Sequence, residues 1–243
     1  MNNTSSIQSE AQLEESLIKR LGGLGYARVT IPDEAALLAN LKAQLEKFNK
    51  TVFSAAEFSR ILNHLDAGGV FDRAERLRDW YNLSRDDGTS SYIRFMNVEH
   101  WCRNEYQVTN QITMEGRYKN RYDVTLLING LPLVQIELKR RGLGVKEAFN
   151  QINRYQRHTF WANTALFQYV QIFVISNGEN TKYYANNRKQ HFKQTFYWAD
   201  EQNELITQLD QFADLFLEKC HVSKMIAKYI VLHQGDKILM ALR

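Results

Sequence analysis

The chain has little cysteine: Cys102 and Cys220 are its only two. They lie far apart and form no C-x-x-C pair, which argues against a zinc ribbon or a disulfide framework and for a reducing, intracellular setting. Long apolar runs are missing as well. None approaches the roughly 18 residues of a membrane-crossing helix. The opening MNNTSSIQSEAQLEESL lacks the basic and then apolar pattern of a secretory leader. A soluble, cytoplasmic protein is expected. No G-x-x-x-x-G-K-[ST] phosphate loop occurs, and there is neither an internal repeat nor a low-complexity linker. At 243 residues the chain is long enough to bury a sizeable core without covalent staples.

Net charge is modest, 31 basic against 27 acidic side chains, but it is unevenly spread. Residues 117–157 hold nine basic side chains (Arg117, Lys119, Arg121, Lys139, Arg140, Arg141, Lys146, Arg154, Arg157) and only three acidic ones (Asp123, Glu137, Glu147). Residues 1–116 are net acidic. Such a field attracts a polyanion and brings it to the few acids the segment contains. A solvated charged face is the ordinary alternative.

Hydrophobic spacing organises the chain as helix, strands, helix, strand. Ser9 and Gln12 have the spacing of a capping box ahead of a helix with Leu13, Leu17, Ile18 and Leu21 on one side, closed by Gly22-Gly23. Glu14 falls beside that apolar stripe and Glu15 points away. Residues 35–48, 55–65 and 71–80 carry helical spacing and form a helical insertion, about 34–84. EYQVTNQITMEG alternates as a strand ending at Gly116. Residues 145–160 are helical, and YVQIFVIS is an apolar run suited to a strand buried on both faces. TKYYANN adds another strand, and 203–221 and 223–233 read as C-terminal helices. The expectation is an α/β (α+β) domain over 1–243, with a mixed sheet flanked by helices and a core at about 8–30 and 92–198.

Between core strands lies NRYDVTLLINGLPLVQIELKRR, Asn120–Arg141. Val124, Leu126 and Ile128 share a parity with Val134, Ile136 and Leu138. Asp123, Thr125, Gln135, Glu137 and Lys139 share the other. Opposed residues of an antiparallel pair face the same way, so a plain two-residue Asn129-Gly130 turn would set odd against even and mismatch the faces. A three-residue loop or a bulge near Asn129–Pro132 is therefore predicted. That register sets Asp123 opposite Glu137, with Lys139 on the same face. Two carboxylates side by side stay ionised only with a cation between them, and Mg²⁺ binds through one or two carboxylates plus water and phosphate oxygens. A lysine beside that ion can orient or deprotonate a water, or stabilise charge on a phosphate. A lone Glu-x-Lys is common; the upstream Asp on a matching face makes this one specific.

These residues resemble the PD-(D/E)xK nuclease motif. The wider run, LEESLIKRLGGLGY, VTNQITMEG, RYDVTLLINGLPLVQIELKR, AFNQINRYQ and VISNG in order, resembles the N-terminal endonuclease domain of the type I restriction enzyme R, or motor, subunit. The likeness spans roughly the first 180 residues and is least informative over the helical insertion. It implies a restriction-endonuclease-like core, Asp123, Glu137 and Lys139 as catalytic residues, and Mg²⁺ (or Mn²⁺ in its place) held by Asp123 and Glu137. The helix-one glutamate of such nucleases maps to Glu14 or Glu15, and the face argument favours Glu14 as an additional metal residue. Gln151 and Tyr155, one helical turn apart, would support the site or touch DNA. Arg140, Arg141, Lys146, Arg154 and Arg157 would neutralise DNA phosphates. Tyr122 stands where the motif has proline, which shapes only the start of the strand.

The resemblance further implies double-stranded DNA as substrate, modification and specificity subunits as partners, and an ATP-driven motor following the nuclease. That motor is expected to lie outside this chain, so ATP would serve only it. Two functions compete: a Mg²⁺-dependent endonuclease cleaving DNA phosphodiesters, and a DNA-holding or communication module that binds duplex without cutting. The intact Asp, Glu and Lys favour the first.

Overall fold

Ser9 opens the first helix as its spacing requires: the Ser9 N–H donates to Gln12 Oε1 at 2.8 Å, and the Ser9 hydroxyl accepts from the Gln12 N–H. From there the structure, a computed structural model, describes residues 8–115, 119–158, 166–187 and 190–241. The chain runs through α1 (Glu10–Gly23), β1 (Ala27–Arg28), α2 (Glu34–Asn49), α3 (Ala55–Leu65), α4 (Val70–Arg78), β2 (Trp80–Ser84) and β3 (Ser90–Arg94). Then follow β4 (Tyr106–Glu115), β5 (Lys119–Ile128), β6 (Leu131–Leu138), α5 (Val145–His158), β7 (Ile172–Ser176) and β8 (Thr181–Ala185). The last elements are β9 (Trp198–Ala199), β10 (Leu205–Ile206), α6 (Leu209–Leu215), α7 (Lys219–Lys224), β11 (Ile230–His233) and β12 (Ile238–Ala241).

The central sheet has six strands in the order β1-β4-β5-β6-β7-β8. β1 pairs with β4 and β6 with β7 in parallel, while the other neighbours are antiparallel. This is the mixed α/β sheet with flanking helices that the resemblance implies. Across one face run Val124, Ile136, Val174 and Tyr183 in register. There the Tyr183 ring meets Phe212 and Phe216, on and just after α6, at 6.4 and 4.6 Å. Arg20 of α1 pairs with Asp214 of α6, so the two helices lie side by side. Across the other face run Gln135, Phe173 and Tyr184, and Phe149 of α5 packs on Tyr184 at 5.3 Å. Because helices cover both faces, every residue of β6 is buried, polar ones included.

The β5–β6 turn resolves the register problem by a bulge. Asn129 and Gly130 both have positive φ, 51° and 84°, the signature of a two-residue hairpin turn. Ile128 pairs with Leu131 and Leu127 with Pro132, but Leu126 pairs with Val134, so Leu133 is the extra residue that restores matching faces. Gly130 is also pressed against α2, where a Cβ would come within 2.8 Å of the Leu41 Cα. We expect Gly130→Ala to destabilise the fold by about 2–4 kcal/mol, from the left-handed φ and the backbone clash together. A denaturant midpoint unchanged from wild type would contradict this.

Elements α2 to α4 are helices within the stretch 34–84, and α2 abuts the turn end of the β5–β6 hairpin. Buried Arg73 ties the α3–α4 corner by donating to the carbonyls of Leu65 and Asp66, both at 2.8 Å. Removing that guanidinium leaves two carbonyls short of a donor, and Arg73→Met should lose about 2–4 kcal/mol in chemical denaturation.

Several expectations need correction. The third insertion helix stops at Arg78, and Trp80 already belongs to the β2–β3 hairpin rather than to the helix. At the C-terminal end, α6 and α7 occupy only parts of the expected helices, and Ile230–His233 is a strand paired with Ile238–Ala241. Helical spacing and β-branched Ile230-Val231 compete there, and pairing across the intervening turn decides it. Cys102 and Cys220, 118 residues apart, are disulfide-bonded, contrary to the reading of their spacing. The turn at Trp101–Arg103 packs against α7, a long-range proximity that spacing cannot reveal. The compartment inferred from unpaired cysteines therefore has no support. Among the described residues no helix is long and apolar enough to cross a membrane. β4 reaches Glu115 and α5 reaches His158; the expected termini at Gly116 and Phe160, with Arg117 of the basic segment, lie outside the described residues.

Candidate active site

β5 and β6 pair as far as Val124 and Ile136 and then part. In the fork, Asp123 substitutes for the missing ladder, its Oδ2 accepting the Leu138 N–H at 2.8 Å. The polar face of the hairpin now reads as a series. Thr125 Oγ1 donates to Gln135 Oε1 at 2.7 Å and Gln135 Nε2 to the Ile136 carbonyl at 3.2 Å, so that pair satisfies itself. Glu137, the next in line, does not.

Glu137 is 0 % exposed. Its Oε1 lies 3.5 Å from the Tyr155 hydroxyl and 3.6 Å from Lys139 Nζ, whereas its Oε2 is buried with no hydrogen-bond partner among the described residues. Burial pushes the Glu137 carboxyl well above the usual range, and Asp123, close enough to share a proton, adds to this while Lys139 opposes it. Burial also raises Asp123, to about 6, against the lowering effects of the Leu138 N–H and Lys139; Glu14 and Glu10 raise it further. Both acids are thus held in a site that disfavours their ionised forms unless a cation enters. An unsatisfied buried carboxylate oxygen beside a second carboxyl fits a hard divalent ion. Lys139 is nearly buried; its Nζ donates to the Leu138 carbonyl at 2.9 Å and lies 3.8 Å from Glu10 Oε2.

The helices deliver the remaining residues. Gln151 and Tyr155 sit one turn apart on α5, where the Gln151 amide donates to the Tyr155 hydroxyl, itself 3.0 Å from the Arg121 carbonyl oxygen. Both lie beside the fork. From α1, Glu14 is buried as its face predicted, while Glu15 is exposed and paired with Arg28. Glu14 is held by neutral donors. Its two oxygens are taken by the amides of Asn110 and Gln111, and no group of three His, Cys, Asp or Glu among the described residues is arranged to hold a metal. Each donor fills one of a carboxylate's roughly four acceptor sites, so Glu14 is fixed at the rim with lone pairs to spare. Arg140, Arg141, Lys146, Arg154 and Arg157 are all exposed. Lys146, Arg154 and Arg157 fall within about a quarter-turn of one another on α5, facing solvent.

The family described as "Type I restriction enzyme R protein N terminus" matches residues 7–192, the greater part of the chain. The chain belongs to that family. Its relatives include the type I restriction enzyme SsaAORF53P endonuclease subunit of Staphylococcus saprophyticus, 46% identical over 97% of this chain and 26% of the relative. The EcoprrI endonuclease subunit of Escherichia coli is 39% identical over 98% of this chain and 79% of its own length. The HindI endonuclease subunit of Haemophilus influenzae is 26% identical over 70% and 18%. The chain spans about a quarter of the length of the staphylococcal relatives. Asp123, Glu137, Lys139, Glu14, Gln151, Tyr155 and the five basic residues all lie within the segment the R-protein family matches.

Sequence reading of this R-protein segment missed Glu10, Asn110 and Gln111. Glu10 reaches Lys139 and accepts the Arg140 N–H at 3.4 Å. Asn110 and Gln111 sit in the phrase VTNQITMEG, but nothing in its alternation marks them as partners of a helix-one acid.

Proposed function

We propose that this chain is a Mg²⁺-dependent endonuclease domain that cleaves DNA phosphodiester bonds as the nuclease part of a type I restriction R subunit. The observation that carries the reading is the buried Glu137 oxygen without a partner, beside Asp123 and Lys139 in the open fork of β5 and β6. Asp123 and Glu137 would hold the ion, with Mn²⁺ able to replace Mg²⁺. When bound, such an ion polarises a phosphodiester oxygen and offsets the charge that builds up during cleavage.

The chain's own groups do the rest. Asp123, fixed by the Leu138 N–H, and Glu137, 3.5 Å from the Tyr155 hydroxyl, would offer their remaining oxygens to the ion. Lys139, swung from the Leu138 carbonyl, orients the attacking water and the phosphate oxygens. Gln151 holds the Tyr155 hydroxyl. The exposed Arg140, Arg141, Lys146, Arg154 and Arg157 bind backbone phosphates, which gives affinity without base choice. Sequence choice would rest with the specificity subunit, and ATP with a motor region of the longer protein.

Titrating Mn²⁺ calorimetrically into the 243-residue chain and into Asp123→Ala, each with a short duplex, tests the reading. Binding that disappears in the variant supports it. Equal binding by the two, or none, would remove the metal from the fork and favour a module that holds DNA without cutting. For the basic face, Arg154→Ala with Arg157→Ala should weaken duplex binding and reduce the slope of log affinity against log salt by about 1–2. An unchanged slope would take those arginines off the DNA path.

A further inference from the structure

The β4–β5 ladder skips one step beside the acid pair. Asn110 pairs with Val124 and Ile112 with Tyr122, but Gln111, which stands across from Asp123, makes no ladder pair and has a φ of 58°. A left-handed non-glycine residue inside a strand costs about 1–2 kcal/mol and persists only where its surroundings impose it. Here the conformation turns the side chain toward α1. The Gln111 amide nitrogen donates to Glu14 Oε2, and Asn110 Nδ2 donates to Glu14 Oε1 at 2.5 Å. The carboxylate settles which end of the Gln111 amide faces it, since a carbonyl oxygen there would be repelled.

Gln111 Oε1 is the end left over. It is buried and has no hydrogen-bond donor among the described residues, the same condition as Glu137 Oε2. Its one charged hydrogen-bond partner among the described residues is the acid Glu14, which also acts on Asp123, the residue across the skipped step. Lys139 already answers Glu137, Glu10 and the Leu138 carbonyl. A buried acceptor among acceptors is unfavourable until a cation arrives, and an amide carbonyl is the hard oxygen donor that such a cation takes.

We infer that Gln111 is a further cation-holding residue: its amide nitrogen locks Glu14 at the rim, and its carbonyl oxygen joins Asp123 and Glu137 around the divalent ion. This rests on the metal-dependent reading above. The experiment is Mn²⁺ calorimetry on the full chain for wild type, Asp123→Ala, Gln111→Gly and Gln111→Met, with melting in EDTA as the fold control. Glycine adopts the φ of 58° without strain and methionine keeps the stem, so the two remove the amide at different structural cost. Either folded Gln111 variant should bind Mn²⁺ about 10–100-fold more weakly than wild type. Wild-type affinity in a folded Gln111 variant, with binding lost in Asp123→Ala, overturns the inference and leaves the metal site standing. Wild-type affinity in Asp123→Ala, or no binding by wild type, overturns both. If glycine prevents a cooperative melt, methionine decides by the same criteria.

Discussion

Lys139→Ala should lower duplex cleavage by about two to four orders of magnitude while the fold and Mn²⁺ binding survive. The separation follows from where Lys139 sits. Its Nζ touches the Leu138 carbonyl, Glu137 and Glu10, so it belongs to the fork without supplying an oxygen to an ion. Deleting it makes the site more negative, which favours cation binding, and takes away the one ammonium placed to orient water and phosphate. Cleavage is read on duplex with Mn²⁺ present, alongside calorimetry and a melting curve. A variant that cuts at the wild-type rate would exclude Lys139 from the chemistry. One that loses Mn²⁺ binding as well would make its role the assembly of the site.

Glu137→Gln should do the reverse to stability: with the cation chelated at pH 8, the variant should melt higher than wild type. Burial and the neighbouring Asp123 raise the Glu137 carboxyl, and burial raises Asp123 to about 6. Both folded-state values lie above those of the unfolded chain, so the folded state binds these protons more tightly. For Asp123 the stability from this source is present below about pH 4 and is lost as pH rises through about 6, and for Glu137 the loss runs on to higher pH, through its own raised range. For Asp123 alone the two-unit difference corresponds to about 3 kcal/mol. A neutral amide at position 137 removes the cost of the Glu137 charge itself, and each kcal/mol so recovered raises the melting temperature by about 2–4 °C for a chain of this size. The difference between variant and wild type should grow as pH rises through the raised range of the Glu137 carboxyl. Mn²⁺ should stabilise wild type and leave the variant unmoved. A variant that melts lower in EDTA at pH 8 would show that the Glu137 carboxylate serves the fold instead.

The two results bear on a contrast between stability and function. A buried acid pair is a poor way to build a β-hairpin, and Thr125–Gln135 one step away shows how the same face is satisfied without charge. The fold carries the acids at a cost that the extensive apolar core around the sheet offsets.

Much of the candidate site was legible in the residues. Parity alone required either a three-residue loop or a bulge in the β5–β6 hairpin and put Asp123 and Glu137 on one face, because side chains alternate strictly along a strand and faces must match. Helical geometry alone placed Glu14 at the buried margin of α1 and Gln151 one turn from Tyr155. Those arguments succeed because they depend on local periodicity, which the chain carries wherever it folds.

Other features needed the tertiary structure, because they arise where distant segments meet. The disulfide joins positions 118 residues apart. The Ile230–His233 strand wins over helical spacing only by pairing with Ile238–Ala241. Gly130 is required less by its turn than by the approach of Leu41 from another element. Glu14 is held by Asn110 and Gln111 some hundred positions away, and the left-handed turn at Gln111 has no local cause in VTNQITMEG. The sequence by itself determined the sheet's alternation, the capped first helix and the acid, acid, lysine face. Packing between segments decided which polar atoms are satisfied and which, at Glu137 and Gln111, are left open, since a side chain's partners depend on what the fold brings beside it.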